Sequence, residues 1–464
     1  MSGRRGATSS RGVGLRKVLA AAVVWIGVPV WSGLVAQEVP APGQWTMVEA
    51  VRAARARYPG VATARAGLER AEAAEAEARA TRLPFATADA SLTRFQEPMV
   101  VAPIHGFTPG SLPEFDETLV QGGLSLGYTV WDGGARGARI RRAGAMAGVA
   151  GAAVEAVALS VMQQAAGAYL RVLSLAEVLA AHDQRGRALE SERRRAEQLL
   201  EEGRAARVQL LRAEAALSRA RADREVTAAQ LDLARRDLAR LTGLPADSLT
   251  AGRLVPVSWS EEEVPEREAL IARATSASPE LARARRSLEA ARTTADEVRA
   301  RFFPTIQLAS RYTEYGTTAG GFTGEWNAGL QLSYPLFTGG ARFRALDRAA
   351  AEERSAEQEL RLAELRVFRE LDAALSALVS ARARAEALEA AVEQSAEVAR
   401  IERLALDAGA GVQTDYLAAE AELLRARAGL AEARHAAIGA RIELARALGE
   451  LSIEWIEDNV ESHP

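Results

Sequence analysis

Cysteine is absent from the 464-residue sequence. Its absence excludes disulfide bonds, thiolate metal sites and cysteine nucleophiles. It also excludes a lipid anchor on a cysteine at a mature N-terminus. Lysine is nearly absent as well, because Lys17 is the only one and every other cationic side chain is an arginine. Aromatic residues make up only 5% of the chain.

Several kinds of functional site have no support in the sequence. The four histidines are scattered: His105, His182, His435 and His463. No two of them have the spacing of helical metal ligands, and the five methionines form no cluster. The net charge of -3 supplies no basic surface for nucleic acid, and no Lys-Ser/Thr follows Gly134 or Gly340 as a phosphate loop requires. We therefore expect no enzyme activity, cofactor, metal or nucleic-acid partner.

Residues 1–36 have the pattern of a secretory signal peptide. A basic segment precedes the apolar residues 18–30, and small residues precede a cleavage point after Ala36. The alternative is an uncleaved membrane anchor. No later segment has 18 consecutive apolar residues, so we expect no transmembrane helix in the mature chain.

The remainder of the chain is a duplication. Residues 58–65 (YPGVATAR) match residues 278–285 (SPELARAR), which lie 220 positions later. Residues 131–136 (WDGGAR) match residues 337–342 (FTGGAR), which lie 206 positions later. The first copy therefore carries about 14 additional residues, which fall in the Pro/Gly-rich stretch 96–116 and indicate a surface loop.

Each copy predicts short helices, two strands and a helical hairpin. Alanine-rich helical patterns without proline begin at Gly134 and Gly340, and each is on the order of 100 Å long. Gly203 and Gly409 interrupt them and suit helix reversals. The predicted organisation is a signal peptide at 1–36, repeat 1 at 37–243, an inter-repeat segment at 244–265, repeat 2 at 266–449 and a tail at 450–464. In repeat 1 the strands are expected at about 84–96 and 118–131 and the hairpin at about 134–242. In repeat 2 the strands are expected at about 304–316 and 324–337 and the hairpin at about 340–448.

The four strand segments alternate between apolar and polar residues. Each has about 10–12 residues, which is enough to cross a bilayer when tilted, and apolar-out, polar-in alternation is typical of outer-membrane barrels. The predicted membrane-interface aromatics are Tyr128, Tyr312, Trp326 and Tyr334. The alternative is a soluble amphipathic sheet.

Four strands cannot close a membrane barrel, because open edges are not tolerated in lipid and the usual minimum is about eight strands. The chain must therefore oligomerise around a shared barrel. Two, three or four copies would each give an even number of strands.

These features together resemble the TolC-like outer membrane efflux protein family over essentially the whole mature chain. Residues 131–134 (WDGG) and 337–340 (FTGG) are similar to the aromatic-polar-Gly-Gly step by which the family passes from strand into helix. Residues 409–417 (GAGVQTDYL) are similar to its glycine turn and helix-opening motif. The individual motifs are short, but they occur in order in both copies.

The resemblance implies a mainly α fold with a membrane β-barrel. Three protomers would form a 12-stranded barrel on a 12-helix periplasmic α-barrel, with segments 244–265 and 450–464 as a belt around its middle. The resemblance implies that the protein is located in the outer membrane of a Gram-negative-type cell envelope and extends into the periplasm. The implied partners are two further copies, a periplasmic adaptor protein, an inner-membrane transporter and outer-membrane lipid.

The resemblance also implies a role for Asp415. In some family members, acidic side chains just after the second turn narrow the periplasmic mouth of the tunnel, and Asp415 matches one such position. Ala418 occupies the place of a second aspartate, and Gln209 stands at the corresponding position of copy one. A single carboxylate ring would attract cations. The alternative role of Asp415 is helix capping, which is compatible with the first.

The function implied is that of a passive exit duct for a tripartite efflux pump or a type I secretion system. The expected adaptor-docking tips are the helix turns at Gly203, Arg204, Gly409 and Gly411. The alternative is that these glycines only permit the chain to reverse its direction. The alternative function is a surface or periplasmic coiled-coil protein, either a structural stalk or an adaptor.

Overall fold

A computed structural model describes residues 44–103, 105, 110, 114–250, 253–259 and 266–462. The expected signal peptide and His463 lie outside these residues, as do parts of the loop within 96–116 and of the inter-repeat segment. Within them, the same series of elements occurs twice. The first series is α1 (Met47–Arg57), α2 (Pro59–Ala80), β1 (Phe85–Val100), β2 (Phe115–Trp131), α3 (Ala135–Glu201) and α4 (Arg207–Thr242).

The second series follows a short β3 (Val257–Trp259). It consists of α5 (Arg267–Ala277), α6 (Pro279–Ala300), β4 (Thr305–Thr317), β5 (Gly320–Ser333), α7 (Ala341–Asp407) and α8 (Gln413–Leu448), and α9 (Ile453–Asn459) and β6 (Val460–Ser462) end the chain. The helices of the two series have equal lengths, since α3 and α7 have 67 residues each and α4 and α8 have 36 each. We call α3 with α4 hairpin 1, and α7 with α8 hairpin 2.

The four long strands form one antiparallel sheet in the order β1-β2-β4-β5. The two repeats therefore meet where β2 pairs with β4, and β1 and β5 lie at the sheet edges. Even-numbered residues pair with even-numbered ones through most of the sheet, for example Leu124 with Tyr312 and Tyr312 with Trp326. This register puts the apolar positions of all four strands on one face.

The strand ends differ from the expected ones in both copies, and β5 also begins at Gly320 and not at 324. The additional residues of copy one partly extend β1 to Val100 and start β2 at Phe115, instead of forming only a loop. Pairing is interrupted between Arg94 and Met99 and then resumes, because Pro98 has no N–H to donate to the ladder. In copy two, β5 ends at Ser333 and not at 337, since Pro335 cannot continue the ladder.

The segments outside the repeats pair with each other. β3 pairs antiparallel with β6, and this small sheet and α9 contribute to the main core together with α1, α3, α4 and α8. The hydroxyl of the buried Tyr169 on α3 lies 2.8 Å from the carbonyl oxygen of Trp45 and 2.7 Å from that of Val255. Burial raises the pKa of Tyr169. One tyrosine thus holds the start of the described chain and the inter-repeat segment against α3.

Among the described residues, α3 is the one helix whose length and composition would allow it to span a membrane. Its most apolar 18-residue window has a mean hydropathy of 1.8, and a third of that window is buried within the chain. An uninterrupted apolar segment of this length is absent from α3, which is why the sequence predicts no such helix. The average hydropathy of a window, in contrast, stays high when the window contains isolated charged residues. A core helix satisfies the same criterion, so this finding concerns composition alone.

The passage from β2 into α3 depends on two glycines with positive φ. Gly133 has φ 65° and Gly134 has φ 91°. A Cβ on Gly133 would lie 2.8 Å from the Ala300 carbonyl oxygen and 2.8 Å from Phe303 Cβ, whereas a Cβ on Gly134 would meet nothing within 4 Å. The passage from β2 into α3 in the first repeat therefore packs closely against the passage from α6 into β4 in the second repeat.

We expect Gly133→Ala to destabilise the protein more than Gly134→Ala. Both substitutions impose positive φ on an L-residue, at about 1–2 kcal/mol, and Gly133→Ala adds a clash of about 1–3 kcal/mol. Thermal unfolding of the detergent-purified variants measures the difference. Equal unfolding midpoints would contradict the close packing described at Gly133.

Candidate functional site

The apolar face of the four-stranded sheet is exposed along its length. Trp326 is 76% exposed, Leu330 71% and Leu332 65%, and Leu92 and Leu124 are similarly uncovered. Such a large apolar surface on a water-soluble monomer would be unusual. The face is therefore built to contact lipid or protein.

The opposite face carries polar side chains, including an ion pair that crosses β2. Arg311 Nη2 on β4 donates to Asp89 Oδ2 on β1 at 2.7 Å. The two side chains pass over Gly123 of β2, where a Cβ would lie 3.5 Å from both of them. The alternation of the strands predicted the polar face, but not this pair, because Asp89 and Arg311 lie 222 residues apart.

The four predicted interface aromatics lie at two levels. Tyr312 and Trp326 are cross-strand partners. Tyr128 and Tyr334 lie towards the helical end, and Tyr334 comes just after the end of β5. Trp326 and Tyr334 are eight residues apart, which is about 26 Å in an extended strand and matches an apolar band of about 25 Å in outer-membrane barrels. Their membrane role stays a prediction.

At the other end of the molecule are the tips of the two hairpins. Gly203 and Gly409 have φ of 73° and 75° and allow the chain to reverse. Gly411 packs against the end of α7, where a Cβ would lie 2.8 Å from the Leu406 nitrogen. Arg204 is exposed, and its one ion-pair partner among the described residues is the nearby Glu202, at 3.0 Å. The tip of hairpin 1 therefore presents polar groups to its surroundings.

Asp415 lies in the first turn of α8 and is exposed. The N-cap residue of α8 is Val412, and no side chain caps this helix. The carboxylate of Asp415 therefore does not act as a cap, although its charge is favourable near a helix N-terminus. Its Oδ1 lies 3.4 Å from Thr414 Oγ1, and no ion pair forms with it in the described part of the chain.

A polar cluster, which we call the tip network, holds hairpin 2 against α3. Its members are Ser191, Glu192, Arg195, Arg403, Asp407, Gln413 and Tyr416. Glu192 is completely buried, and its Oε1 accepts a hydrogen bond from Gln413 Nε2 at 2.8 Å. Glu192 Oε2 accepts no hydrogen bond, but it faces Arg195 Nη1 at 3.5 Å. A buried carboxylate without such partners would be strongly destabilising.

Arginines fix the tip of hairpin 2 from both sides. Arg195 of α3 donates to the Leu406 carbonyl oxygen at 2.6 Å. Arg403 of α7 donates to the Tyr416 hydroxyl at 3.1 Å, to Ser191 Oγ at 3.3 Å and to Asp407 at 3.2 Å. Burial raises the pKa of Tyr416 to about 12, so its hydroxyl stays protonated at neutral pH. Helical periodicity gives no signal for this network, because its partners belong to three different helices.

The tip of hairpin 2 meets α3 before that helix ends. Glu192 and Arg195 lie six to nine residues ahead of Glu201, the last residue of α3. At about 1.5 Å per residue, hairpin 1 extends roughly 9–14 Å further. The two tips are therefore staggered, although the helices of the two hairpins have the same lengths.

The family described as Outer membrane efflux protein matches residues 50–244 and 270–450. The chain belongs to the outer membrane efflux protein family. The resemblance stated from the sequence motifs is thereby confirmed, and so is the location in the outer membrane with a periplasmic extension.

Two curated relatives and one solved structure illustrate the similarity. The chain is 26% identical over 308 residues to outer membrane efflux protein BepC of Brucella suis, and the match covers 64% of each chain. It is 27% identical over 278 residues to alkaline protease secretion protein AprF of Pseudomonas aeruginosa, covering 56% of each. The matches thus span less than two thirds of these relatives.

The crystal structure of outer membrane protein VceC from Vibrio cholerae has the same fold. The TM-score is 0.72 at 20% sequence identity, and the match covers 87% of this chain and 96% of VceC. The similarity at that level of identity concerns the fold alone. This similarity agrees with the observed fold, which is mainly helical and has a smaller strand region.

We expect Arg403→Ala to loosen the tip of hairpin 2. The substitution removes hydrogen bonds from a charged donor to Tyr416 and Ser191. The loss of even one such bond costs about 1.5–3 kcal/mol, so amide exchange in residues 412–420 should become at least roughly 10- to 100-fold faster. Hydrogen-exchange mass spectrometry measures this. The control is Arg400→Ala, since Arg400 pairs only with Glu397 on the surface of the same helix. Equal exchange in both variants would contradict the network.

Proposed function

We propose that this chain is one subunit of a passive exit duct in the outer membrane. The duct would carry substrates from a periplasmic adaptor and an inner-membrane transporter to the cell exterior, in a tripartite efflux pump or a type I secretion system. The observation that carries the proposal is one chain that joins a sheet with a continuous apolar face to helices about 100 Å long.

The two edges of the sheet support a shared barrel. In the described chain, β1 and β5 each have one paired side, so each leaves a row of backbone donors and acceptors open. Lipid cannot satisfy these groups, and only a closed barrel does. Pairing β5 of one copy with β1 of the next would close the ring and leave the apolar face outward.

We propose a homotrimer. Three copies would give 12 strands, and four helices of each copy would contribute at every level of the tunnel. Near the sheet these are α2, α3, α6 and α7, and towards the tips they are α3, α4, α7 and α8, as the observed helix packing supports. The described β3–β6 sheet is the proposed belt around the middle.

We further propose that Asp415 lines the periplasmic entrance of the duct. It is exposed, forms no ion pair among the described residues and lies in the first turn of α8, just behind the tip that the tip network holds against α3. The tips with Gly203, Arg204, Gly409 and Gly411 are the proposed docking points for the adaptor. The stagger between the hairpins would present the hairpin 1 tip further into the periplasm.

The alternative, a coiled-coil stalk or an adaptor, fits less well. An adaptor would have one hairpin, whereas this chain has two of equal size. A stalk would have no use for an apolar sheet face. The names of BepC and AprF refer to efflux and to protease secretion respectively, so both kinds of machinery belong to the proposal.

Single-particle electron microscopy of the detergent-purified protein tests the duct. We expect a hollow, three-fold particle well over 100 Å long, with a detergent belt at one end. A monomer, or a particle without a belt, would overturn the proposal and favour the stalk or adaptor. A closed ring of two or four copies would overturn the trimer alone.

We expect Asp415→Asn to reduce the preference of the duct for cations. Neutralising three carboxylates near the axis removes a negative potential that acts within about 10 Å at 0.1 M salt, so the cation-to-anion permeability ratio should fall by about two-fold or more. Reversal potentials in planar bilayers measure the ratio.

Two further variants serve as controls for Asp415. Asp415→Glu keeps the charge and should keep the ratio. Glu201→Gln removes an exposed carboxylate at the tip of hairpin 1 and should change the ratio little. An unchanged ratio in Asp415→Asn would show that this side chain does not line the conducting path.

A further inference from the structure

Arginines are concentrated where the sheet meets the helices. The four junction segments 79–84, 132–142, 296–304 and 338–348 contain eleven arginines and four carboxylates, a net charge of +7 in a chain whose total is -3. We call these segments the collar. Its arginines are Arg79, Arg82, Arg136, Arg139, Arg141, Arg142, Arg299, Arg301, Arg342, Arg344 and Arg348.

The opposite end of the sheet has the reverse charge. The outer segments 94–118 and 314–325 contain one arginine and six carboxylates. The sheet therefore lies between a basic end and an acidic end. A uniform excess of arginine in the composition would not produce this asymmetry, since the chain as a whole has slightly more acidic than basic residues.

Two arginines of the collar are fixed on the apolar face of the sheet. The guanidinium of Arg136 lies 5.8 Å from the ring centre of Tyr128, and that of Arg342 lies 5.5 Å from the ring centre of Tyr334. Tyr128 and Tyr334 belong to the apolar stripe. Because the offset of 206 relates both the arginines and the tyrosines, the duplication has kept the same Arg–Tyr pair twice.

Several arginines of the collar lack a full set of hydrogen-bond acceptors in the described chain. Arg342 also stacks on Phe302 at 5.4 Å, yet its Nε and Nη1 are buried with no hydrogen-bond partner in the described chain. Arg136 pairs with Asp132 through Nε at 3.1 Å. Arg82 and Arg301 are exposed and have no carboxylate partner among the described residues. Asp296 is shared by two arginines, and so is Glu297.

We propose that the collar binds anionic phospholipid headgroups of the periplasmic leaflet, with the Tyr128–Arg136 and Tyr334–Arg342 pairs as its centre. The inference rests on the proposed membrane position of the sheet. At that position the tyrosine rings lie at the boundary of the apolar band, where aromatic rings are favoured. The stacked guanidinium groups then lie at headgroup depth, where phosphate is the matching acceptor.

The collar fits anionic lipid better than zwitterionic lipid because of its net charge. A zwitterionic headgroup brings its own cation, which the net positive charge of the collar would repel. An anionic headgroup brings an uncompensated phosphate, and juxtamembrane basic residues gain from each such charge. Attraction of this kind weakens as salt is added.

The test uses the full-length protein reconstituted in phosphatidylcholine vesicles that contain spin-labelled lipid. Electron paramagnetic resonance measures the immobilised fraction of spin-labelled phosphatidylglycerol and, separately, of spin-labelled phosphatidylcholine. At low salt we expect the protein to favour phosphatidylglycerol on the order of two- to five-fold, and 0.5 M NaCl should abolish the preference. Inorganic phosphate at matched ionic strength should have no further effect, since a leaflet lipid and not free phosphate is the ligand.

Two double variants localise the effect. R136Q/R342Q should bring the preference close to one, whereas R136K/R342K should keep most of it and guards against loss through misfolding. The matched control is R219Q/R425Q, which removes two exposed, repeat-related arginines from α4 and α8. No preference in the unaltered protein, or an equal loss in the control, would overturn the collar proposal.

The same experiment distinguishes the two proposals. If the protein immobilises no lipid of either kind, the sheet does not lie in the bilayer and the proposed duct fails. If both lipids are immobilised equally, the sheet is in the bilayer and only the headgroup proposal fails.

Discussion

Lipid offers no hydrogen bonds to a backbone, and this constraint governs the arrangement of the whole chain. The four-stranded sheet satisfies its own interior but leaves the outer sides of β1 and β5 open. An apolar face on one side and polar residues on the other suit a wall between lipid and water. In the proposed barrel, pairing with other copies would satisfy both edges.

The positions of the long helices follow from the sheet. Each repeat leaves the sheet through two glycines, and the close contact of Gly133 with Ala300 and Phe303 fixes the passage from β2 into α3 against the passage from α6 into β4. From there two helices of 67 residues run in the same sense. Small alanines allow close packing along them, while arginine–glutamate pairs cover their surfaces. Individually such surface pairs contribute little to stability, so packing of the small residues carries most of the cohesion.

Two buried polar side chains in the described part of the chain, Glu192 and Tyr169, have partners on elements that are distant in sequence. Glu192 is enclosed by Gln413 and Arg195, and Tyr169 by two carbonyl oxygens. Both lie where elements distant in sequence meet: α3 with hairpin 2, and the inter-repeat segment with Trp45 at the start of the described chain. Directional contacts of this kind specify which helix meets which, a task for which alanine-rich surfaces are too uniform.

The sequence by itself determined the duplication, the long helices, the glycine reversals and the alternating strands, because each of these depends on local periodicity or on matching segments. It also predicted the family and the outer membrane correctly. Prediction of strand ends was less accurate, since Pro98 is tolerated within β1 whereas Pro335 lies beyond the end of β5. Only the tertiary structure decided the ion pair of Asp89 with Arg311, the tip network and the pairing of β3 with β6. In the ion pair, in the β3–β6 sheet and in the contacts of the tip network with α3, the partners lie about 200 residues or more apart. Which residues meet there depends on strand register and on helix packing, which no local pattern encodes.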